Sequence, residues 1–94
     1  MLNERIRLLR MEKGISQIQL ADALGVTKQS ISNWENDNIQ PSIEMLVKLS
    51  KFFDVSTDYL LGLEEKRTLS VKNLTDKQIS HIQFIIDDFK NLNS

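Results

Sequence analysis

The sequence contains no cysteine among its 94 residues. This absence excludes disulfide bonds, cysteine-ligated zinc and iron–sulfur clusters, and it is typical of a protein from a reducing compartment. Apolar runs are short as well, and none approaches the roughly 18 residues of a membrane-spanning helix. Charged residues stand near the N-terminus, where a signal peptide has its apolar stretch. We therefore expect a cytoplasmic protein that does not bind a membrane.

The residues that catalysis needs are also scarce. The chain has one histidine, His81, and no second histidine or cysteine that would complete a metal site or a catalytic pair. Its three glycines are dispersed, so no glycine-rich loop is available to hold phosphates. The sequence thus predicts a protein that is not an enzyme and that needs no metal ion or cofactor.

Positive charge is not in excess. The net charge is -1 at pH 7, and residues 1–63 hold seven Lys and Arg against eight Asp and Glu. Proteins that bind nucleic acid often present a basic surface to the phosphates. If this chain has such a partner, its positive charge has to be local.

Apolar residues recur every three or four positions and do not alternate, which predicts an all-α protein. Glycines and the single proline fall at the expected helix ends and turns. The predicted helices are residues 2–13, 17–24, 28–36, a fourth that begins at Pro41-Ser42, and a short fifth that holds 59–61. The fourth helix is expected to bury Ile43, Leu46, Val47, Leu49, Phe52 and Phe53. The expected core of the first five helices is Leu9, Leu20, Ile31, Leu46 and Phe52.

Residues 64–94 differ in character from the domain predicted at 1–63. A polar segment at 64–74 predicts a linker, and Thr75 with Gln78 forms a capping box before a helix over 75–94. An apolar stripe on that helix is too hydrophobic to face water, so we expect it to join two chains. Folding back onto the domain, or binding another protein, are the alternatives. The stripe consists of Ile79, Ile82, Ile86 and Phe89.

A set of residues at fixed offsets predicts two helices that cross over a tight turn. Such a crossing needs a small residue at the contact, a residue that tolerates positive φ in the turn, and branched residues on both sides. Ala21 is the small residue and Gly25 forms the turn. Val26 and Ile31 are the branched residues, and Ser16 begins the first helix with a capping box.

These residues and their neighbours resemble the Cro/repressor-type (Xre-like) helix-turn-helix family of phage repressors and bacterial regulators. The resemblance covers about residues 2–62 and implies a five-helix lambda-repressor-like DNA-binding domain. One departure is Asp37, where the family usually has glycine, although Asp tolerates left-handed geometry better than most residues. The matching stretches are Ile6-Arg7-Leu8-Leu9-Arg10, Gly14-Ile15-Ser16-Gln17, Leu20-Ala21, Leu24-Gly25-Val26-Thr27, Ser30-Ile31-Ser32-Asn33-Trp34-Glu35-Asn36, Pro41-Ser42 and Leu49 with Phe52-Phe53-Asp54-Val55-Ser56.

The resemblance also implies roles for single residues. The second helix of the motif would lie in the major groove, where amide, ammonium and hydroxyl groups recognise base edges. An arginine late in the first helix would pair with a buried glutamate; here these are Arg10 and Glu35. Trp34, beside Ile31, is expected to pack in the core or at its rim. The expected base contacts are Lys28, Gln29, Asn33 and Ser30, and the expected phosphate contacts are Gln17, Thr27, Asn36 and Asn38.

The sequence therefore favours a transcriptional regulator, of the repressor kind, that binds double-stranded DNA as a homodimer on a palindromic operator. A different function stays open at this point. An antitoxin would bind a toxin protein through its tail and would also repress its own operon.

Overall fold

The computed structural model describes residues 1–93, and these residues form six helices and no strand. The predicted all-α fold is confirmed, and the helices begin and end within a few residues of the expected positions. Ser94, the last residue of the predicted tail helix, lies outside the described residues. The helices are α1 (Leu2–Glu12), α2 (Gln17–Leu24), α3 (Lys28–Glu35), α4 (Ile43–Phe53), α5 (Thr57–Leu61) and α6 (Asp76–Leu92).

Side-chain hydroxyl groups begin five of the six helices. Each accepts a hydrogen bond from a backbone N–H in the first turn, which would otherwise lack a partner. Both predicted capping boxes are confirmed, because Gln19 and Gln78 also accept from the backbone N–H of their cap residue. The five cap residues are Ser16, Thr27, Ser42, Ser56 and Thr75.

Left-handed residues follow α2 and α3 and shape the turns around them. Gly25 ends α2 with φ +73°, and the N–H of Val26 donates to the carbonyl of Ala21 at 2.9 Å. Asp37 has φ +60°, so it takes the conformation for which glycine is the more common choice. The chain can therefore turn sharply after α3 without a glycine.

The core lies between the first five helices. Its fully buried side chains are Ile6, Leu9, Leu20, Ile31, Leu49 and Leu60. Leu46 and Phe52, which were expected in the core, are half-buried and pack against its edge.

The prediction of which residues α4 buries is partly wrong. Ile43 is 83% exposed and Val47 39% exposed, whereas Leu49 and Phe53 are buried. Ser50 also lies inside, and its hydroxyl donates to the Val47 carbonyl at 2.7 Å. Ile43 stands seven residues before Ser50, on the same side of the helix, so the first turn of α4 is covered less by the other helices than its later turns are.

The segment after α5 follows the surface of the domain. Arg67 contacts Glu12 at 2.7 Å, and the N–H of Ser70 donates to the Asp54 carboxylate at 3.3 Å. By contrast, α6 has no buried residue. No helix within residues 1–93 is both long enough and apolar enough to cross a membrane.

We expect Gly25→Ala to lower the free energy of unfolding by about 1–2 kcal/mol, because an L residue is strained in the left-handed region. The space around a Cβ at this position is empty, so a steric clash would not contribute. Gly25→Asn is the control and should cost less, since asparagine adopts this conformation more readily. Urea denaturation measures both variants. Equal stability of Gly25→Ala and the parent chain would contradict this account of the turn.

Candidate nucleic-acid interface

The contact between α2 and α3 fixes the helix that would read DNA. Ala21 is 2% exposed and Ile31 is fully buried, so a small and a branched side chain meet at the crossing. Leu20 and Leu24 are buried behind them, and Val26 is half-buried in the turn. Trp34 is also buried, as expected. One face of α3 is thus held in the core from Ile31 to Glu35.

The opposite face of α3 is polar and open to solvent. Lys28 and Gln29 are exposed, and Asn33 is half-buried one turn after Gln29. The Gln29 amide donates to Asn33 Oδ1 at 3.0 Å. This bond orients two amide groups side by side and leaves the carbonyl oxygen of Gln29 and the amino group of Asn33 for other partners.

The hydroxyl groups of Thr27 and Ser30 are used at the start of α3. Thr27 Oγ1 accepts from the Ser30 backbone N–H at 3.1 Å, and the two hydroxyl oxygens lie 3.0 Å apart. Both residues therefore stabilise the helix end beside Lys28. The hydroxyl oxygen of Ser30 can still accept a further hydrogen bond.

Polar residues also surround the other end of α3. The Asn36 amide donates to Ser32 Oγ at 3.2 Å, and Asn36 and Asn38 are exposed. Ser32 was not expected to take part. Its position four residues before Asn36 on a helix places the two side chains on one face, and that spacing is the signal that could have identified it.

A buried carboxylate connects α1, α2 and α3. Arg10 donates to Glu35 twice, from Nε at 2.7 Å and from Nη2 at 3.1 Å, and the Glu35 side chain is 2% exposed. A third Arg10 nitrogen donates to the carbonyl of Ile15 at 2.9 Å. The geometry is that of a bidentate arginine–carboxylate pair, which is strong and directional.

Gln17 belongs to the same cluster, and this contact was not predicted from the sequence. Its amide donates to Glu35 Oε1 at 3.2 Å, so its side chain is held against the last turn of α3. Gln17 is half-buried at the first position of α2, where backbone N–H groups also point outward. No feature of the sequence near residue 17 indicates this contact, because its acceptor lies on another helix.

The exposed surface of α2 and α3 carries little net charge. Among residues 17–35 the cation is Lys28 and the anions are Asp22 and Glu35, of which Glu35 is paired with Arg10. The local positive charge that a nucleic-acid partner would require is therefore small on these two helices. Contacts with phosphates on this surface would depend on N–H and hydroxyl groups.

We expect Glu35→Ala to destabilise the protein by about 3–5 kcal/mol, because it leaves the Arg10 guanidinium without its partner in a mostly buried site. Arg67→Ala is the matched control. It breaks the Arg67–Glu12 pair, which has the same 2.7 Å distance but whose side chains are 37% and 43% exposed. That loss should be about 0–1 kcal/mol. Chemical denaturation of both variants tests the difference, and similar losses would contradict it.

Comparison with known proteins places these features in a family. Residues 6–60 match the helix-turn-helix family. The HTH-type transcriptional regulator ImmR of Bacillus subtilis strain 168 is 37% identical over 89 residues, which are 95% of this chain and 68% of ImmR. The HTH-type transcriptional activator BcrR of Enterococcus faecalis is 44% identical over 68 residues, and these span 72% of this chain but 33% of BcrR.

A solved structure agrees with both the sequence and the fold. The crystal structure of the P22 c2 repressor protein in complex with a synthetic operator superposes with a TM-score of 0.61 at 40% identity. The alignment covers 64% of this chain and 91% of the repressor chain. The resemblance to regulators of the Cro/repressor (Xre-like) type is confirmed, and the chain belongs to the helix-turn-helix family.

Proposed function

We propose that the chain is a sequence-specific DNA-binding transcriptional regulator, of the repressor kind, that inserts α3 into the major groove. The observation that carries this proposal is the pair of amides formed by Gln29 and Asn33 on the exposed face of a helix whose other face is locked in the core. A rigid helix with oriented amides can distinguish bases, because each base pair presents its own donor and acceptor pattern in that groove. The P22 c2 repressor, solved with operator DNA, supports the same use of the fold.

The proposed base contacts follow from the chemistry of each side chain. The carboxamide of Gln29 and that of Asn33 each carry an acceptor and a donor in one plane, which suits adenine. The ammonium group of Lys28 suits the O6 and N7 acceptors of guanine. Ser30 is half-buried in the first turn of α3. Its hydroxyl would contact a base directly or through a bridging water.

The proposed phosphate contacts lie at both ends of the α2–α3 unit. Gln17 uses one amide N–H for Glu35 and keeps a second one for a phosphate oxygen. Thr27 would contact the same strand as Gln17, and Asn36 with Asn38 would contact the other. Neutral donors of this kind can position a protein on DNA even where its net charge is close to zero.

Alanine substitutions should separate these two kinds of contact. Gln29→Ala and Lys28→Ala should each relax the preference at particular base positions by about 1–3 kcal/mol. Gln17→Ala should weaken binding to every sequence by a similar factor, since a phosphate contact carries no base information. Selection of bound duplexes from a random pool, followed by affinity measurements on the selected site and its single-base variants, tests both expectations.

Lys48→Ala, an exposed lysine on α4, is the control and should change neither property. The unfolding free energy of Gln17→Ala must be measured too, because this residue also contacts Glu35. An unchanged base preference in both recognition-helix variants would show that α3 does not read the groove. Failure to select any duplex would remove the DNA-binding proposal itself.

We further propose that the regulator acts as a homodimer on a palindromic operator, joined through α6. A single helix-turn-helix domain contacts few base pairs, and a second copy doubles the interface on a symmetric site. The apolar stripe supports this arrangement, because Ile86 is 38% exposed and Phe89 60% exposed. Ile79 and Ile82 are half-buried in the same stripe.

Replacing Ile82 and Ile86 together by alanine should raise the dimer dissociation constant by roughly a hundredfold or more. Each copy loses several CH₂ and CH₃ groups from the seam, and each is worth about 0.8 kcal/mol when buried. Phe84→Ala is the control, since Phe84 is 71% exposed on the opposite side of α6. Sedimentation equilibrium measures the constants. A parent chain that stays monomeric, or equal effects of the two variants, would contradict a dimer through this stripe.

A further inference from the structure

The two edges of the α6 stripe differ in chemistry. Ile79, Ile82, Ile86 and Phe89 define a seam with spacings of three and four, as in a two-helix coiled coil. One edge of this seam carries Asp76, Gln83 and Lys90. The other edge carries Gln78, Ile85 and Leu92. The first edge is therefore polar with opposite charges at its two ends, and the second is mostly apolar.

We propose that α6 pairs with α6 of a second copy in the antiparallel orientation, with Asp76 of each chain beside Lys90 of the other. This inference rests on the proposed dimer and adds its orientation and register. In the register that centres on residue 84, Ile79 of one copy packs beside Phe89 of the other, and Ile82 packs beside Ile86. The seam is then continuous over its whole length.

Symmetry decides which edges meet. A twofold axis perpendicular to the helices makes them antiparallel and brings each edge against the same edge of the other copy. A twofold axis along the helices makes them parallel and brings each edge against the opposite one. The parallel pair would therefore place apolar Ile85 and Leu92 against a charged edge. The antiparallel pair instead places the polar edge against the polar edge and the apolar edge against the apolar edge.

Charge complementarity favours the antiparallel pair. Asp76 and Lys90 stand 14 residues apart on one edge, about 21 Å along the helix, so they cannot pair within one chain. Neither residue has an ion pair within the described chain. In the antiparallel register the two residues meet twice, once at each end of the seam. Charged pairs that flank the seam of a coiled coil set the orientation of its helices.

A groove on the apolar edge points to the same arrangement. Leu74, Lys77, Gln78, His81 and Ile82 line an open groove where the linker enters α6. Leu92 is 73% exposed at the other end of the helix, too far away to fill the groove of its own chain. In the antiparallel register Leu92 of the second copy lies beside Gln78, at the border of the groove nearest the seam, while Ile85 meets its own counterpart.

The orientation also suits the proposed DNA site. The two α6 helices would begin about 24 Å apart, at opposite ends of the seam, because each spans 17 residues. Half-sites read by helix-turn-helix dimers are about 34–36 Å apart. In a parallel pair both α6 helices would begin at the same end of the seam, so the two linkers would lie side by side.

Single cysteines test the orientation, and the chain has none of its own. In the antiparallel pair, Ile79 of one copy lies about 15 Å along the axis from Ile79 of the other, beyond the reach of a disulfide. Full-length Ile79→Cys and Phe89→Cys chains should therefore stay uncrosslinked alone and crosslink when they are mixed before mild oxidation. Crosslinking of each variant with itself, without preference for the mixture, would overturn the proposal in favour of a parallel pair.

Charge reversal tests the register by a second route. Asp76→Lys and Lys90→Asp chains each place like charges together in their own dimers, and a mixed dimer restores both pairs. Native mass spectrometry at low salt should show the mixed dimer enriched about fivefold or more over a statistical mixture. Asp88→Lys replaces Asp76→Lys in the control, because Asp88 lies on the side of α6 away from the seam, and it should give the statistical proportion. A statistical mixture in the test pair would overturn the register.

These measurements need no DNA, so their outcome is separate from that of the DNA-binding proposal. A chain that crosslinks in neither experiment and sediments as a monomer would overturn the dimer and its orientation together, while the test of α3 on DNA would be unaffected. A dimer with self-crosslinking at residues 79 and 89 would keep the dimer and overturn only the antiparallel orientation.

Discussion

Glu35 carries a negative charge into the interior, and the position of α3 follows from how that charge is satisfied. Its side chain is 2% exposed, and an unpaired carboxylate there would be costly. Arg10 supplies two hydrogen bonds from α1 and Gln17 a third from α2. Because the donors and the acceptor stand on three different helices, the carboxylate is satisfied only when those helices meet at the observed angle. The face of α3 that carries Lys28 and Gln29 is thereby turned outward and held there.

The outer surface of α3 is nearly neutral. The strongest charges near α3 are used internally, so Arg10 cannot serve as a free cation while it holds Glu35. What remains outside is a lysine, a pair of amides and several hydroxyl groups. These groups offer direction more than charge, and direction is what distinguishes one base edge from another. Binding to non-specific DNA, which depends on phosphate neutralisation, gains little from such a surface.

Local features of the fold could be predicted from the sequence, and non-local ones could not. Caps such as Ser16 with Gln19, and the turn at Gly25, depend on residues a few positions apart, so their spacing is sufficient. Burial on α4 was predicted wrongly at Ile43 and Val47, because how much of this helix is covered depends on the helices that pack against it. The contact between Gln17 and Glu35 spans 18 positions, and nothing in residue type or periodicity indicates it. The Arg10–Glu35 pair was expected only from the resemblance to the family.

The segment after α5 shows how a non-local contact bears on function. Arg5 lies over the Tyr59 ring, with its guanidinium carbon 4.1 Å from the ring centre, and it also donates to the Glu64 carbonyl at 3.1 Å. Arg67 and Ser70 continue the attachment to the domain. Residues 71–74 are then the remaining span before α6, about 13 Å when extended. In a dimer joined through α6, the distance between the two α3 helices would therefore depend on the length of α6 and on these few residues for as long as the exposed contacts of Arg67 and Ser70 hold the segment to the domain.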